Sequence, residues 1–163
     1  MTSTAVETRR DDDEASRTAP NIVVDGSPNE ATVLTLTHWP GIPAPNGLAR
    51  DLSAETAFAD LDTPPDHPPT DVVTNNHFDQ DGLISIFALT EPESVLPHRD
   101  LLIDVAAAGD FAIYRDRRAA RAAMARRGAA ETTCSYGQFT HQLYPCLLYT
   151  SPSPRDLLSH LVC

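Results

Sequence analysis

The segment Asn75-Asn76-His77-Phe78-Asp79-Gln80-Asp81-Gly82 carries the strongest chemical pattern in the chain. His77, Asp79 and Asp81 alternate, and in an extended backbone alternate side chains point to the same side. An imidazole nitrogen and two carboxylates then converge on one point, a donor set that suits Mn²⁺ or Mg²⁺. Gly82 lets the chain turn sharply into the apolar run at 83–89. A helix beginning there aims its free N–H groups and the positive end of its dipole at the same region, which favours ionised carboxylates and attracts phosphate. The plainer reading is that Asp79 or Asp81 caps that helix, an ordinary use of Asp at such a place. An EF-hand is excluded, because aligning Asp79, Asp81 and Gly82 to its loop puts Ala88 where the bidentate glutamate must stand.

Weaker candidates surround this lead. His38 ends an apolar/polar alternating run beside Trp39 and is a further metal-ligand candidate; alone, such a histidine is more often structural. Asp110 follows an apolar helical pattern and is either a ligand or a turn residue. Asp25, before Gly26, reads as a turn former rather than a ligand. Asp104 falls on an exposed helical face. His67 and His98 neighbour prolines and carry no pattern, and Cys134 has no thiol or histidine motif near it. Arg115, Arg117, Arg118, Arg121, Arg126 and Arg127 form the basic cluster of the chain, read as a solvated helix face or as a phosphate-binding rim.

These residues need a scaffold. Short β-branched runs at 21–24 and 71–74 and the period-two run at 32–38 read as strands. Gly26-Ser27-Pro28-Asn29 between the runs at 21–24 and 32–38 is turn chemistry, so those two strands form a hairpin or lie side by side in a larger sheet. Helices are expected at 51–61, with Ala54, Ala57, Phe58 and Leu61 on one face, at 83–89, at 99–108 with Gly109 as C-cap, and at 115–127. The proline-rich segments 39–47 and 62–70 must be loops. Strands interleaved with helices imply an α/β class, a small sheet with helices packed on it.

Composition bounds the function. The 163 residues carry a formal charge of −11, and every basic residue is arginine. That balance argues against general nucleic-acid or anionic-membrane binding and leaves room for a phosphate-containing small molecule in a local site. No stretch approaches the roughly 18 apolar residues of a membrane span, and the N-terminus lacks the apolar core of a secretory signal. A soluble, cytoplasmic protein is expected. Residues 1–19, with the run Asp11-Asp12-Asp13-Glu14, are expected to be a disordered acidic tail. Residues 20–145 then form one domain.

His77-Phe78-Asp79-Gln80-Asp81-Gly82-Leu83 resembles the first motif of the DHH phosphoesterase superfamily, whose pattern is a strand, H/D-x-D-x-D-G-[LIV] and a helix. The resemblance implies a metal-dependent phosphoesterase-like hydrolase in which His77, Asp79 and Asp81 help to bind two manganese ions. The segment 102–110 is similar to that group's helix ending in a metal-binding aspartate, which matches Asp110. The Asp-His-His triplet that names the superfamily does not occur in the chain. THWPG, NNHFDQDGL and DVAAAGDF together resemble an uncharacterised bacterial family of unknown function over residues 21–145, which implies no activity. A non-catalytic metal- or ligand-binding domain is therefore the alternative to a hydrolase.

Residues 146–163 resemble foreign sequence. Cys-Leu-Leu-Tyr-Thr-Ser-Pro-Ser-Pro-Arg-Asp is what a transposase-type sequencing adapter encodes when translated, and the closing His-Leu-Val-Cys fits its continuation. On that reading the domain is truncated near Pro145, Cys146 and Cys163 are not native, and Cys134 alone supports no disulfide framework.

Overall fold

The computed structural model describes residues 7–10, 18–45, 47–77 and 79–129. Cys134 and the adapter-like segment lie outside them. The described elements are strands β1 (Glu7–Arg10), β2 (Asn21–Val24), β3 (Thr32–Leu36) and β4 (Val72–Asn75) and helices α1 (Ser53–Leu61), α2 (Gln80–Thr90), α3 (Pro92–Val95), α4 (Arg99–Asp110) and α5 (Arg117–Ala129); α1 separates β3 from β4, and the other helices follow β4. A 3₁₀ turn, Leu96–His98, joins α3 to α4. The fold is α/β: a small parallel sheet in the order β1-β4-β2-β3, with helices packed against it.

The strands follow from their side chains. Every residue of β2 and β4 is buried, as expected of β-branched runs in the middle of a parallel sheet. β3 lies at the edge and stays half-buried, which fits its alternating sequence. β2 and β3 are side by side and parallel; the hairpin alternative does not form. Their short connection doubles back, and the Asn21 N–H donates to the Ala31 carbonyl at 3.2 Å.

Two expectations change. Within the segment expected to be a disordered tail, Glu7–Arg10 pairs with β4, from Glu7 opposite Val72 to Arg10 opposite Asn75. The open edge of β4 presents unpaired N–H and C=O groups, and backbone alone is enough to satisfy them. Gly109 is not a C-cap, because α4 runs on to Asp110 and is capped at Phe111. A Cβ on Gly109 would come 2.5 Å from the Cβ of Gln80, so glycine stands there to let α4 approach α2.

α2 is the central helix, with every residue from Gln80 to Ala88 buried. Its Ile84, Ile86 and Phe87 are mediocre helix formers, each costing up to about 0.7 kcal/mol relative to alanine. Burial of such side chains returns roughly 1.5–3 kcal/mol each, so packing decides the conformation. α1 and α4 flank α2, bringing Phe58, Leu102 and Val105 into the same core. α5 lays Ala119, Ala122 and Ala123 inward.

Candidate metal centre

Because β2, β3 and β4 are parallel, their carboxyl ends meet at one edge of the sheet, where open α/β folds bind ligands. Asp25 follows β2, His38 lies just beyond β3, and Asn75-Asn76-His77 leads out of β4. Asp25 adopts φ +45°, a left-handed conformation that aspartate tolerates better than most residues. Its neighbour Gly26 faces Asn76; a Cβ there would lie 2.7 Å from Asn76 Oδ1. The loops leaving β2 and β4 therefore touch.

Asp25 is wholly buried and stands between two His/Asp groups. On one side its Oδ2 lies 3.1 Å from His77 Nε2, which also meets Asp79 Oδ2 at 2.5 Å. His77 Nδ1 is 3.2 Å from Asn76 Oδ1. Asp79 Oδ1 accepts the Gly82 N–H at 2.8 Å and so caps α2. On the other side His38 Nδ1 lies 3.2 Å from Asp81 Oδ2 and 3.5 Å from Asp25 Oδ1. Asp110 Oδ2 approaches His38 Nε2 at 3.9 Å.

Asp81 also has a structural task. α1 lacks a side-chain cap of its own; instead Asp81 Oδ2 accepts the Ser53 N–H at 2.7 Å and Oδ1 the Ala54 N–H at 2.8 Å. An aspartate in the first turn of α2 thus caps α1 across the core. Asp25 Oδ1 accepts from Ser53 Oγ at 2.8 Å and from Trp39 Nε1 at 3.1 Å. The Trp39 ring also lies against His77, with centroids 5.2 Å apart.

Four carboxylates and two imidazoles share this space, and burial magnifies their interactions. Burial pushes the Asp25 carboxyl up, against the hydrogen bond from His77. Burial would also raise Asp79, but the contacts with His77 and the Gly82 N–H outweigh it and hold it below its ordinary value. His77 is pushed up to about 10, first by Asp25 and then by Asp79. His38 is raised chiefly by Asp81. Asp110 is raised to about 7 by burial and then by the charges of Asp81, Asp79 and Asp25.

The residues fit a divalent cation. Asp25 Oδ2 is buried, with the His77 imidazole 3.1 Å away as its partner. Gly82 packs so closely that a Cβ would lie 2.2 Å from Asn75 Nδ2 and 3.3 Å from Asp25 Oδ2. Each of the two His/Asp groups offers three donor atoms lying within 4.8 Å of one another, a set that could hold a metal ion.

Of the residues singled out by sequence, His77 and Asp79 meet directly. Asp81 does not join them; it stands with His38 and Asp25, and Asp110 flanks His38. Asp25, which its place before Gly26 marks as a turn former, is the carboxylate common to both groups. The available signal is that it terminates a fully buried strand. His67 is half-buried and contacts the Pro68 carbonyl, and His98 lies in the 3₁₀ turn. Arg115 pairs with Asp104 at 3.3 Å and Arg118 with Asp116 at 2.9 Å.

Among the described residues, no helix is long and apolar enough to cross a membrane. No curated protein and no solved structure matches the chain. A family profile does match, over residues 12–143, a span that contains THWPG, NNHFDQDGL and DVAAAGDF; the chain belongs to DUF6687, a family of unknown function.

Proposed function

We propose that this centre holds divalent cations, Mn²⁺ or Mg²⁺, and hydrolyses a phosphoester of a small molecule. The observation that carries the reading is Asp25: a wholly buried carboxylate shared by two His/Asp groups. Bound cations would supply charge for the phosphoryl oxygens and a water of lowered pKa. The chain supplies the rest. Asp25, His77 and Asp79 form one group of donors, and the Gly82 N–H fixes how Asp79 points. On the other side of Asp25 stand His38 and Asp110, with side-chain exposures of 20% and 15%; His77 and Asp79 are the more exposed pair, at 34% and 25%. The N-termini of α1 and α2 meet at this space, and their N–H groups hold Asp81 and Asp79 in place.

A second reading, a metal- or ligand-binding domain without catalysis, is favoured by one specific observation. Asp79 and Asp81 both use carboxylate oxygens to cap helices. Calorimetric titration with Mn²⁺, followed by Mn²⁺-dependent release of p-nitrophenol from its phosphomonoester and phosphodiester, separates the readings. Binding with turnover that Asp79→Asn abolishes supports the hydrolase. Binding without turnover leaves the second reading, and no binding sinks both. Turnover unchanged in Asp79→Asn rejects the role given to Asp79.

A further inference from the structure

The position of one hydroxyl proton settles how His38 meets a cation. Ser53 is wholly buried at the start of α1. Its Oγ has three polar neighbours: Asp25 Oδ1 at 2.8 Å, His38 Nδ1 at 2.9 Å and the His38 backbone N–H at 3.1 Å. A serine hydroxyl carries one proton and two acceptor sites. The proton goes to Asp25 Oδ1, an acceptor that also takes the Trp39 Nε1–H at 3.1 Å. The backbone N–H of His38 fills one acceptor site, so the contact from Nδ1 fills the other and Nδ1 must carry a hydrogen. The second group beside Nδ1 leads to the same assignment. Asp81 Oδ2 is 3.2 Å away, and both Asp81 oxygens already accept N–H groups from α1. As a carboxylate, Asp81 only accepts.

With Nδ1 protonated, the lone pair of the neutral ring lies on Nε2, the nitrogen that faces Asp110. Ligating histidines characteristically donate the other ring N–H to a protein oxygen, which fixes tautomer and orientation. The 3.9 Å between His38 Nε2 and Asp110 Oδ2 can be bridged by two bonds of about 2.1 Å meeting at a wide angle. The Nδ1 side is closed by Ser53, Asp25 and Asp81, all wholly buried, whereas Asp110 beside Nε2 keeps 15% of its side chain exposed.

We infer that the second cation of the centre binds His38 through Nε2 together with Asp110, and that Ser53 is the positioning residue that enforces this choice. Asp81 then acts outside the coordination shell, holding His38 and α1 rather than the ion. This inference rests on the metal-centre reading above and specifies which atoms take part.

The test is nuclear magnetic resonance of the full ¹⁵N-labelled chain, with His38 assigned through His38→Gln and Zn²⁺ as the diamagnetic probe. In the metal-free protein, at a pH where the ring is neutral, His38 is expected as the Nδ1–H tautomer. On adding Zn²⁺, the Nε2 resonance should move while Nδ1 keeps its proton. Ser53→Ala should mix the tautomers and weaken the second Zn²⁺ by roughly tenfold to a hundredfold, the usual effect of losing such a partner. Asp110→Asn should weaken the second Zn²⁺ and spare the first. An Nε2–H tautomer in the wild type overturns the inference without any variant. So does Zn²⁺ on Nδ1, or an Asp110→Asn protein that binds both ions as before. Absence of any Zn²⁺ binding removes the metal-centre reading itself, a result distinct from binding through the wrong nitrogen.

Discussion

The two ends of β2 bury polar groups to the same depth and treat them in opposite ways. At the amino end, Asn21 donates to the Ala19 carbonyl at 3.0 Å and to Asn29 Oδ1 at 3.2 Å, and its Oδ1 accepts from Thr32 Oγ1 at 3.0 Å. Thr32 Oγ1 accepts the Asn29 N–H, and Asn29 Oδ1 accepts the Ala31 N–H. These groups are neutral and hydrogen-bonded to one another. At the carboxyl end, Asp25 has a left-handed backbone, an imidazole 3.1 Å from one oxygen and three more carboxylates nearby. Burial alone does not mark a functional centre, since satisfied neutral networks serve to fix a core. An unbalanced charge held at the same depth needs a counter-charge.

The sharpest way to break this contrast is to neutralise Asp25. Asp25→Asn should lower Mn²⁺ affinity by more than about a hundredfold, beyond the effect typical of residues that merely support a ligand. Asn21→Ala should leave that affinity unchanged in the same calorimetric titration. Equal losses in both variants would mean that the two ends do not differ in kind.

Stability should separate the ends in the reverse direction. Asn21→Ala leaves buried partners in Asn29 and Thr32 short of a bond and should cost about 2 kcal/mol in urea unfolding, with or without Mn²⁺. Asp25→Asn removes one charge from a crowded acidic group, so the metal-free protein should lose less than the Asn21 variant. Stabilisation by Mn²⁺, about 2.7 kcal/mol at a hundredfold excess over Kd in the wild type, should vanish in Asp25→Asn. A metal-free Asp25→Asn protein weaker than Asn21→Ala would show that the acidic end is held together by its own contacts.

The charged end alone should respond to pH. His77, raised to about 10, holds a proton on the nitrogen that a cation must occupy, and Asp110, raised to about 7, is partly protonated near neutrality. Binding therefore releases protons, and affinity should climb roughly tenfold per pH unit for each proton displaced. The rise should flatten above about pH 10, where His77 has already lost its proton. In the metal-free protein the sign reverses: the raised His77 value stabilises fully below its unfolded value of 6.5 and is lost as pH climbs through 10. A binding enthalpy independent of buffer ionisation would mean that no proton leaves.

The sequence makes one end of this strand more legible than the other. The alternation of His77, Asp79 and Asp81 is a local pattern, and so are the β-branched runs and the apolar helix that follows. Asp25 joins His77 only because β2 and β4 pair in parallel, and strand order is not written in any local period. Asp81 sits at a ligand-like spacing, yet its oxygens serve a helix that begins at Ser53, a partnership fixed by the packing of α1 on α2. Gly109 has the look of a helix terminator, but what decides its identity is Gln80 across the interface. Each divergence is a long-range contact overriding a local preference.

Backbone strain gives the smallest effect and a last means of telling the ends apart. Among the described residues, positive φ at a non-glycine occurs at Asp25, +45°, and at Ala112, +54°. Ala112 lies just past α4, beyond Asp110 and Phe111, so both positions belong to the carboxyl end of the sheet. Alanine in this region costs roughly 1–2 kcal/mol, whereas glycine enters it freely at some cost in unfolded-state entropy. Ala112→Gly should therefore stabilise the metal-free protein by about 1 kcal/mol. If the turn also serves to aim Asp110 at His38, relaxing it should weaken the second Zn²⁺ several-fold while the first is unaffected. Gain of stability with both affinities intact would make the strain incidental to the centre. Loss of stability would mean that the alanine methyl group packs well enough to outweigh its backbone.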